Sequence, residues 1–167
     1  MPELLDVDVT RIDTTPQYNL GQLYWDGPDR FRYIKYSEGS NSVTATAGHL
    51  GYRIVSGTSD CVRWEVTDDK ASATTKTVLT SHPMGFFQSA LSDGKYGWIQ
   101  DLGFNRFACL TDGTCAAGAR AELDSSANGQ IQNYTNGLAV GRITAADVGT
   151  ELAIGALEIT VGNGAFA

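Results

Sequence analysis

Apolar and polar residues alternate in short stretches along most of this chain, and no long helical stripe free of Gly and Pro stands out. The first stretch sets Val7 and Val9 against Asp6 and Asp8, a period-two pattern flanked by Leu4, Leu5, Arg11, Ile12 and Asp13 and broken by Thr14-Thr15-Pro16. A terminal segment that is extended, half apolar and closed by a proline reads either as an edge strand or as an arm laid on another surface. From Leu20 onward, segments rich in aromatic and β-branched residues recur, as in Phe31–Tyr36, Cys61–Val66 and Tyr96–Gln100. Between them stand Asp26-Gly27, Asp93-Gly94, Asp112-Gly113, Asn128-Gly129, Asn136-Gly137 and Asn163-Gly164, dipeptides of the kind that accept positive φ at both central positions of a turn.

Two segments are less regular. Leu152–Ile159 reads as a strand; Thr144-Ala145-Ala146-Asp147 before it offers a helix cap, but Gly149 and Gly155 weaken a helix there. Thr67–Ser81 is poor in apolar residues and reads as a loop or a long hairpin excursion, followed by a turn at His82-Pro83. Many short strands with closely spaced turns predict an all-β fold: a compact β-barrel or β-sandwich with an extended N-terminal arm. Residues 1–20 form the arm or edge strand, and 21–167 a single β domain.

Composition narrows the partners. A chain of 167 residues with a net charge of -7 repels a phosphate backbone, so no nucleic-acid partner is expected. The N-terminus has no basic stretch followed by an apolar one, and no run approaches the roughly eighteen apolar residues of a membrane span. The expectation is a soluble protein made in a cytosol, with no membrane partner. Three cysteines, an odd number, fit that compartment as free thiols, although a wide loop between Cys109 and Cys115 leaves a disulfide geometrically open.

Candidate chemistry is sparse. No Gly-x-Ser-x-Gly elbow occurs, and His49 and His82 each lack a recognisable orienting partner, so both read as surface or turn histidines. Asp93-Gly94-Lys95 lacks the spacing of a phosphate loop. The Cys109–Cys115 spacing does not suit zinc, and Asp6, Asp8, Asp68 and Asp69 lack the remaining ligands of a calcium loop and read as solvated charges. Trp25, Trp64 and Trp98 sit in strand-like segments, where a core or interface role is the usual one. Asn133-Tyr134-Thr135 matches a glycosylation acceptor by chance. No cofactor and no enzymatic activity are expected.

One stretch is more telling. Ser89-Ala90-Leu91-Ser92-Asp93-Gly94-Lys95-Tyr96-Gly97-Trp98-Ile99-Gln100 and then Gly103 is followed by Ala116-Ala117-Gly118, by Ser125–Gly129, and by Val140-Gly141-Arg142. With Asp26-Gly27-Pro28-Asp29-Arg30-Phe31-Arg32-Tyr33-Ile34 and Ala47-Gly48 upstream, this resembles the head decoration (capsid cement) proteins of tailed bacteriophages. The resemblance touches most of residues 20–160 and is most specific at Tyr96–Gln100; the first twenty residues and Thr67–Ser81 are outside it. Ala47-Gly48 and Ala117-Gly118 also echo each other, each trailing an aromatic strand.

The resemblance implies a virion protein on the capsid outer surface that stabilises the shell by bridging neighbouring major capsid subunits, as a homotrimer. The alternative is a tail or fibre-type or glycan-binding virion module. Leu4, Leu5, Val7, Val9 and Ile12 are then the residues expected to contact the capsid or a neighbouring protomer. On the arm reading, deleting residues 1–15 weakens capsid binding and leaves the melting curve nearly unchanged.

Overall fold

The computed structural model describes residues 6–39, 44–56, 64–71, 76–104, 111, 115–124, 128–135, 139–143 and 157–159. Ten strands follow in chain order: β1 (Leu23–Asp26), β2 (Asp29–Tyr36), β3 (Leu50–Ser56), β4 (Glu65–Thr67), β5 (Lys76–Phe87), β6 (Tyr96–Phe104), β7 (Arg120–Leu123), β8 (Ile131–Asn133), β9 (Ala139–Ile143) and β10 (Leu157–Ile159). No helix occurs among the described residues. Strands β2, β4, β3, β5 and β6 close into a five-stranded barrel, because β6 pairs with both β5 and β2. Only the β2–β4 pair in that ring is parallel. The last residues of β6, Gly103 and Phe104, pair with β10, and β10–β9–β7–β8 continue as a second sheet. Closure removes edges from the barrel and leaves β1 and β8 as the ends of the strand order.

The barrel strands are buried on both faces, so their sequences do not alternate cleanly. Tyr33 and Ile34, adjacent on β2, are both fully buried. Ile34 and Tyr36 turn inward with Val66, Phe87, Leu91 and Ile99. Phe31 and Tyr33 turn outward with Trp98 beneath the N-terminal segment. On the far side, Leu50, Tyr52, Ile54 and Phe86 turn outward against Ala121, Ile131, Val140 and Ile143 of the second sheet. A five-stranded lumen is narrow, and Gly51 helps it close. A Cβ there would lie 2.6 Å from Val66 Cγ1 and 2.9 Å from Phe87 Cε2. Gly51→Ala should therefore cost about 1–3 kcal/mol through overpacking, read as a lower denaturation midpoint; an unchanged midpoint would show that Phe87 and Val66 can yield.

Several sequence expectations are corrected. Residues 6–22 form no strand: the segment turns at Val9-Thr10 and joins the barrel through the Asp13–Tyr96 bridge and through backbone hydrogen bonds of Gly21 and Gln22 to Tyr33 at 2.8 and 3.0 Å. The Asp8 carboxylate accepts from the Thr10 N–H at 2.9 Å and its hydroxyl at 2.6 Å, a local cap that breaks the extended pattern at its second aspartate. Those two bonds hold the exposed Asp8 carboxyl below its usual range, that from the Thr10 hydroxyl most strongly. Thr67–Ser81 is no excursion at its ends, since Thr67 closes β4 and Lys76–Ser81 open β5. His82-Pro83 lies within β5, not in a turn. Tyr52 pairs with Pro83 while Arg53 pairs with Leu79, and this irregularity accommodates a residue with no N–H for the ladder.

The turns differ from expectation in their hand. Among the described residues only glycines and Asp6 have positive φ, so Asp93 and Asn128 do not share the positive φ of Gly94 and Gly129. In Ser92–Lys95, the Lys95 N–H donates to the Ser92 carbonyl and Gly94 has φ 75°, the pattern of a type II turn. The Ala47-Gly48 and Ala117-Gly118 echo is the same device used twice. Gly48 (φ 88°) and Gly118 (φ 83°) close turns that feed β3 and β7, the strands carrying Leu50 and Ala121 into one core. At Asp26-Gly27 the turn residues are Gly27 and Pro28, so the glycine takes the first central position. Asp112-Gly113, Asn136-Gly137, Asn163-Gly164 and the Leu152–Ala156 part of the expected last strand lie outside the described residues.

Candidate functional site

The residues expected to touch a partner divide. Leu4 and Leu5 lie outside the described residues. Val9 is only 5% exposed and packs with Phe31, Tyr33 and Trp98, and Val7 lies half-buried against the same cluster. Ile12, at 48%, is exposed. The segment is fastened by Asp13, whose backbone exchanges two hydrogen bonds with Tyr96 at 2.9 and 3.0 Å. The buried Asp13 carboxylate accepts from the Tyr33 hydroxyl at 2.7 Å and pairs with Arg11 at 2.6 Å. Tyr18 completes the seam, its ring centroid 5.2 Å from Trp98 and 5.1 Å from Tyr33. Val9 thus belongs to the protein's own core, and Val7 packs half-buried against it.

Exposed apolar side chains gather instead at the β1–β2 hairpin. Trp25 is 53% and Leu23 41% exposed, on the face of β1 opposite to Tyr24, which packs inward. Their cross-strand partners are Arg30 and Arg32. Asp101 sits where the β2–β6 register shifts, the kind of irregularity that re-aims a side chain, and reaches both arginines. Its Oδ1 lies 2.6 Å from Arg30 Nε, and its Oδ2 3.0 and 2.9 Å from Arg32 Nε and Nη2. Arg32 also lies over the Trp64 ring at 4.4 Å, and Arg30 faces Trp25 at 5.6 Å. The row Trp25, Arg30, Asp101, Arg32, Trp64 joins β1, β2, β6 and the residue before β4. Sequence reasoning passed over it. Its signal was a tryptophan beside a hairpin turn, facing a strand with arginines two residues apart.

A second polar cluster is buried. Asp68 and Asp69, expected to be solvated, are inaccessible to solvent. Asp68 takes the Tyr36 hydroxyl at 2.9 Å on one oxygen and His49 Nδ1 at 2.7 Å on the other. Asp69 accepts from the Ala71 N–H at 2.9 Å and from Asn128 Nδ2 at 3.3 Å. Lys70 donates through Nζ to the Asp124 carbonyl at 3.0 Å and through its N–H to Asn128 Oδ1 at 3.1 Å. Burial lowers the Lys70 pKa in this setting. The network ties the end of β4 to Asp124, just after β7, and to Asn128, just before β8. His49 thus has the orienting carboxylate that its sequence neighbourhood did not reveal. Among the described residues no three His, Cys, Asp or Glu are grouped to hold a metal ion.

The buried phenols set an alkaline limit. Burial raises the pKa of Tyr33, Tyr36 and Tyr52; Asp13 adds to it at Tyr33, Asp68 at Tyr36, and Asp68 with Asp124 at Tyr52. The fold favours the neutral phenols, whereas in the unfolded chain they ionise near pH 10. Their stabilisation is therefore complete below about pH 10 and is lost as the pH rises above it. Melting temperatures followed against pH should fall there as tyrosinate absorbance appears; a flat profile through that range would refute the coupling.

Compared with known proteins, the chain matches no family model, no curated protein and no solved structure.

Proposed function

We propose that this chain is a virion structural protein that decorates a phage capsid on its outer surface, bridges neighbouring major capsid subunits as a homotrimer, and so stabilises the shell. The observation that carries a binding role is the exposed Leu23 and Trp25 pair on the end strand β1, beside two arginines anchored by one buried aspartate. Apolar anchors with a fixed guanidinium rim are the composition of a protein-binding face. The capsid assignment rests on the resemblance at Tyr96–Gln100. That stretch is the start of β6, with Trp98, Ile99 and Gln100 fully buried, so the resemblance concerns how the barrel is built. The docking face moves from Val7 and Val9 to the β1–β2 hairpin, with Ile12 the one described member of the N-terminal set available to a partner.

The test is stoichiometry. Quantified against the major capsid protein in purified particles, the chain should be present in hundreds of copies at a near-integral ratio. A dozen copies or fewer would move it to a tail or fibre position, and absence from particles would overturn the virion reading. The half-exposed Trp25 ring also suits stacking on a sugar. Quenching of its fluorescence by host surface polysaccharide, with no binding to heads, would favour a glycan-binding module instead.

A further inference from the structure

The β1–β2 hairpin face carries more than exposed apolar surface. Strand β1 ends the strand order, so the edge away from β2 meets no strand among the described residues. Trp25 and Leu23 line one face of it, and across from them the two arginines are unequal. Arg32 is spent: its Nε and Nη2 both bind Asp101, its Nη1 donates to the Gly21 carbonyl at 3.3 Å, and its guanidinium is stacked on Trp64. Arg30 gives Asp101 only its Nε, and its terminal nitrogens make no hydrogen bond among the described residues. The Arg30 side chain is 23% exposed, and its guanidinium carbon lies 5.6 Å from the Trp25 ring centroid. One carboxylate between two guanidinium groups leaves one positive charge on this strip, in a chain whose net charge is -7.

We propose that this strip docks an extended, carboxylate-bearing segment of the partner protein, which joins β1 as an added strand and sets an acidic side chain on the terminal nitrogens of Arg30; this rests on reading the hairpin as the partner-binding face. Strand addition fits because the open edge offers backbone groups at the ordinary pairing distance, about 4.8 Å. The added strand would lie about 10 Å from β2, so a long acidic side chain on it is needed to reach over Trp25 to the Arg30 guanidinium. Apolar residues alternating with the acidic one cover Trp25 and Leu23. A guanidinium with its terminal N–H groups unoccupied matches a carboxylate in two-pronged geometry. Asp101 holds Arg30 in place from the other side, and Arg32 neutralises Asp101, so the charge of Arg30 remains for the partner.

The probe is a pair of short synthetic peptides that alternate valine with glutamate or valine with lysine, titrated into the full chain while Trp25 emission is followed. The glutamate peptide should change the emission, bind more weakly as salt is raised, and lose about tenfold in affinity to Arg30→Gln, a change of about 1.4 kcal/mol. Arg30→Lys should retain part of the affinity, and Trp25→Phe should abolish the optical signal. Near-UV circular dichroism of Arg30→Gln should match the parent, because Arg32 still holds Asp101. Equal response to both peptides, no response to either, or an Arg30→Gln variant that binds like the parent would overturn the proposal. Co-sedimentation with undecorated phage heads separates this from the functional reading. Heads that bind parent and Arg30→Gln equally defeat the docking chemistry alone. Heads that bind neither, while the glutamate peptide still binds, defeat the decoration role alone.

Discussion

Removal of residues 1–15 is expected to lower the melting temperature by on the order of 10 °C, and not to leave it unchanged as a free arm would. Three losses act together. Val9, only 5% exposed, gives up burial valued at about 1.5–3 kcal/mol for a side chain of its class. The Tyr33 hydroxyl, inside a fully buried residue, loses its Asp13 acceptor, which costs about 1–3 kcal/mol for a buried donor left unpaired. The outward face formed by Phe31, Tyr33 and Trp98 is opened to water. For a chain of this size each kcal/mol moves the midpoint by about 2–4 °C. The barrel itself should persist, because β2 and β6 pair with each other and with β4 and β5 without help from the deleted residues. Calorimetry of the truncated chain checks this, and a midpoint within a degree or two of the parent would show that the segment is dispensable. Asp13→Asn is a milder companion: it keeps an acceptor for Tyr33, removes the charge that pairs with Arg11, and should cost far less than the truncation.

His49→Ala should destabilise the fold by about 3–5 kcal/mol, the usual penalty for stripping the partner from a buried charge. Asp68 is inaccessible to solvent, and its two oxygens are satisfied by Tyr36 and His49. Without the imidazole one oxygen loses its donor, and Lys70 is committed to the Asp124 carbonyl. The ring also fills space against Gly129, where an added Cβ would come within 2.8 Å of it. The second variant isolates the charge: adding Asp68→Asn to His49→Ala should recover a good part of the loss, because a neutral amide is easier to leave half-satisfied than a carboxylate. Denaturant midpoints of the two single variants and the double variant give this as a coupling energy. If the double variant is no more stable than His49→Ala, packing of the ring and not compensation of Asp68 holds this corner together.

The end of β2 shows a milder version of the same physics. Lys35 and Glu65 face each other at 3.1 Å across the parallel β2–β4 pair. Burial opposes the Lys35 ammonium, yet the Glu65 carboxylate, with Tyr96 and Asp93, outweighs it and raises the pKa. A raised lysine stabilises the fold below its unfolded value and ceases to do so as the pH climbs past the folded one. Lys35 therefore acts in the same alkaline direction as the buried phenols.

The β character and the turns at Asp26-Gly27, Asp93-Gly94 and Asn128-Gly129 were legible along the chain, because both are set by local backbone chemistry. Gly94, Gly48 and Gly118 take a backbone conformation that costs other residues energy, and segments such as Phe31–Tyr36 and Tyr96–Gln100 are branched or aromatic enough to be strands in any context. What stayed hidden depended on residues far apart in sequence. The alternation around Val7 and Val9 predicted an edge strand or an arm, but a period of two has the same appearance whether the valines pair in a ladder or pack against Phe31, Tyr33 and Trp98. Asp68 and Asp69 looked solvated because local sequence carries no sign of Tyr36, His49 or Asn128, which lie 32, 19 and 59 residues from their carboxylate partners. The candidate docking strip is of the same kind. Arg30 and Asp101 are 71 residues apart, and only closure of β6 onto β2 turns a lone exposed tryptophan into one end of a charged, apolar-flanked edge. Local preferences set which segments could pair; burial on both faces of a closed barrel set which charges had to find partners, and which one was left facing outward.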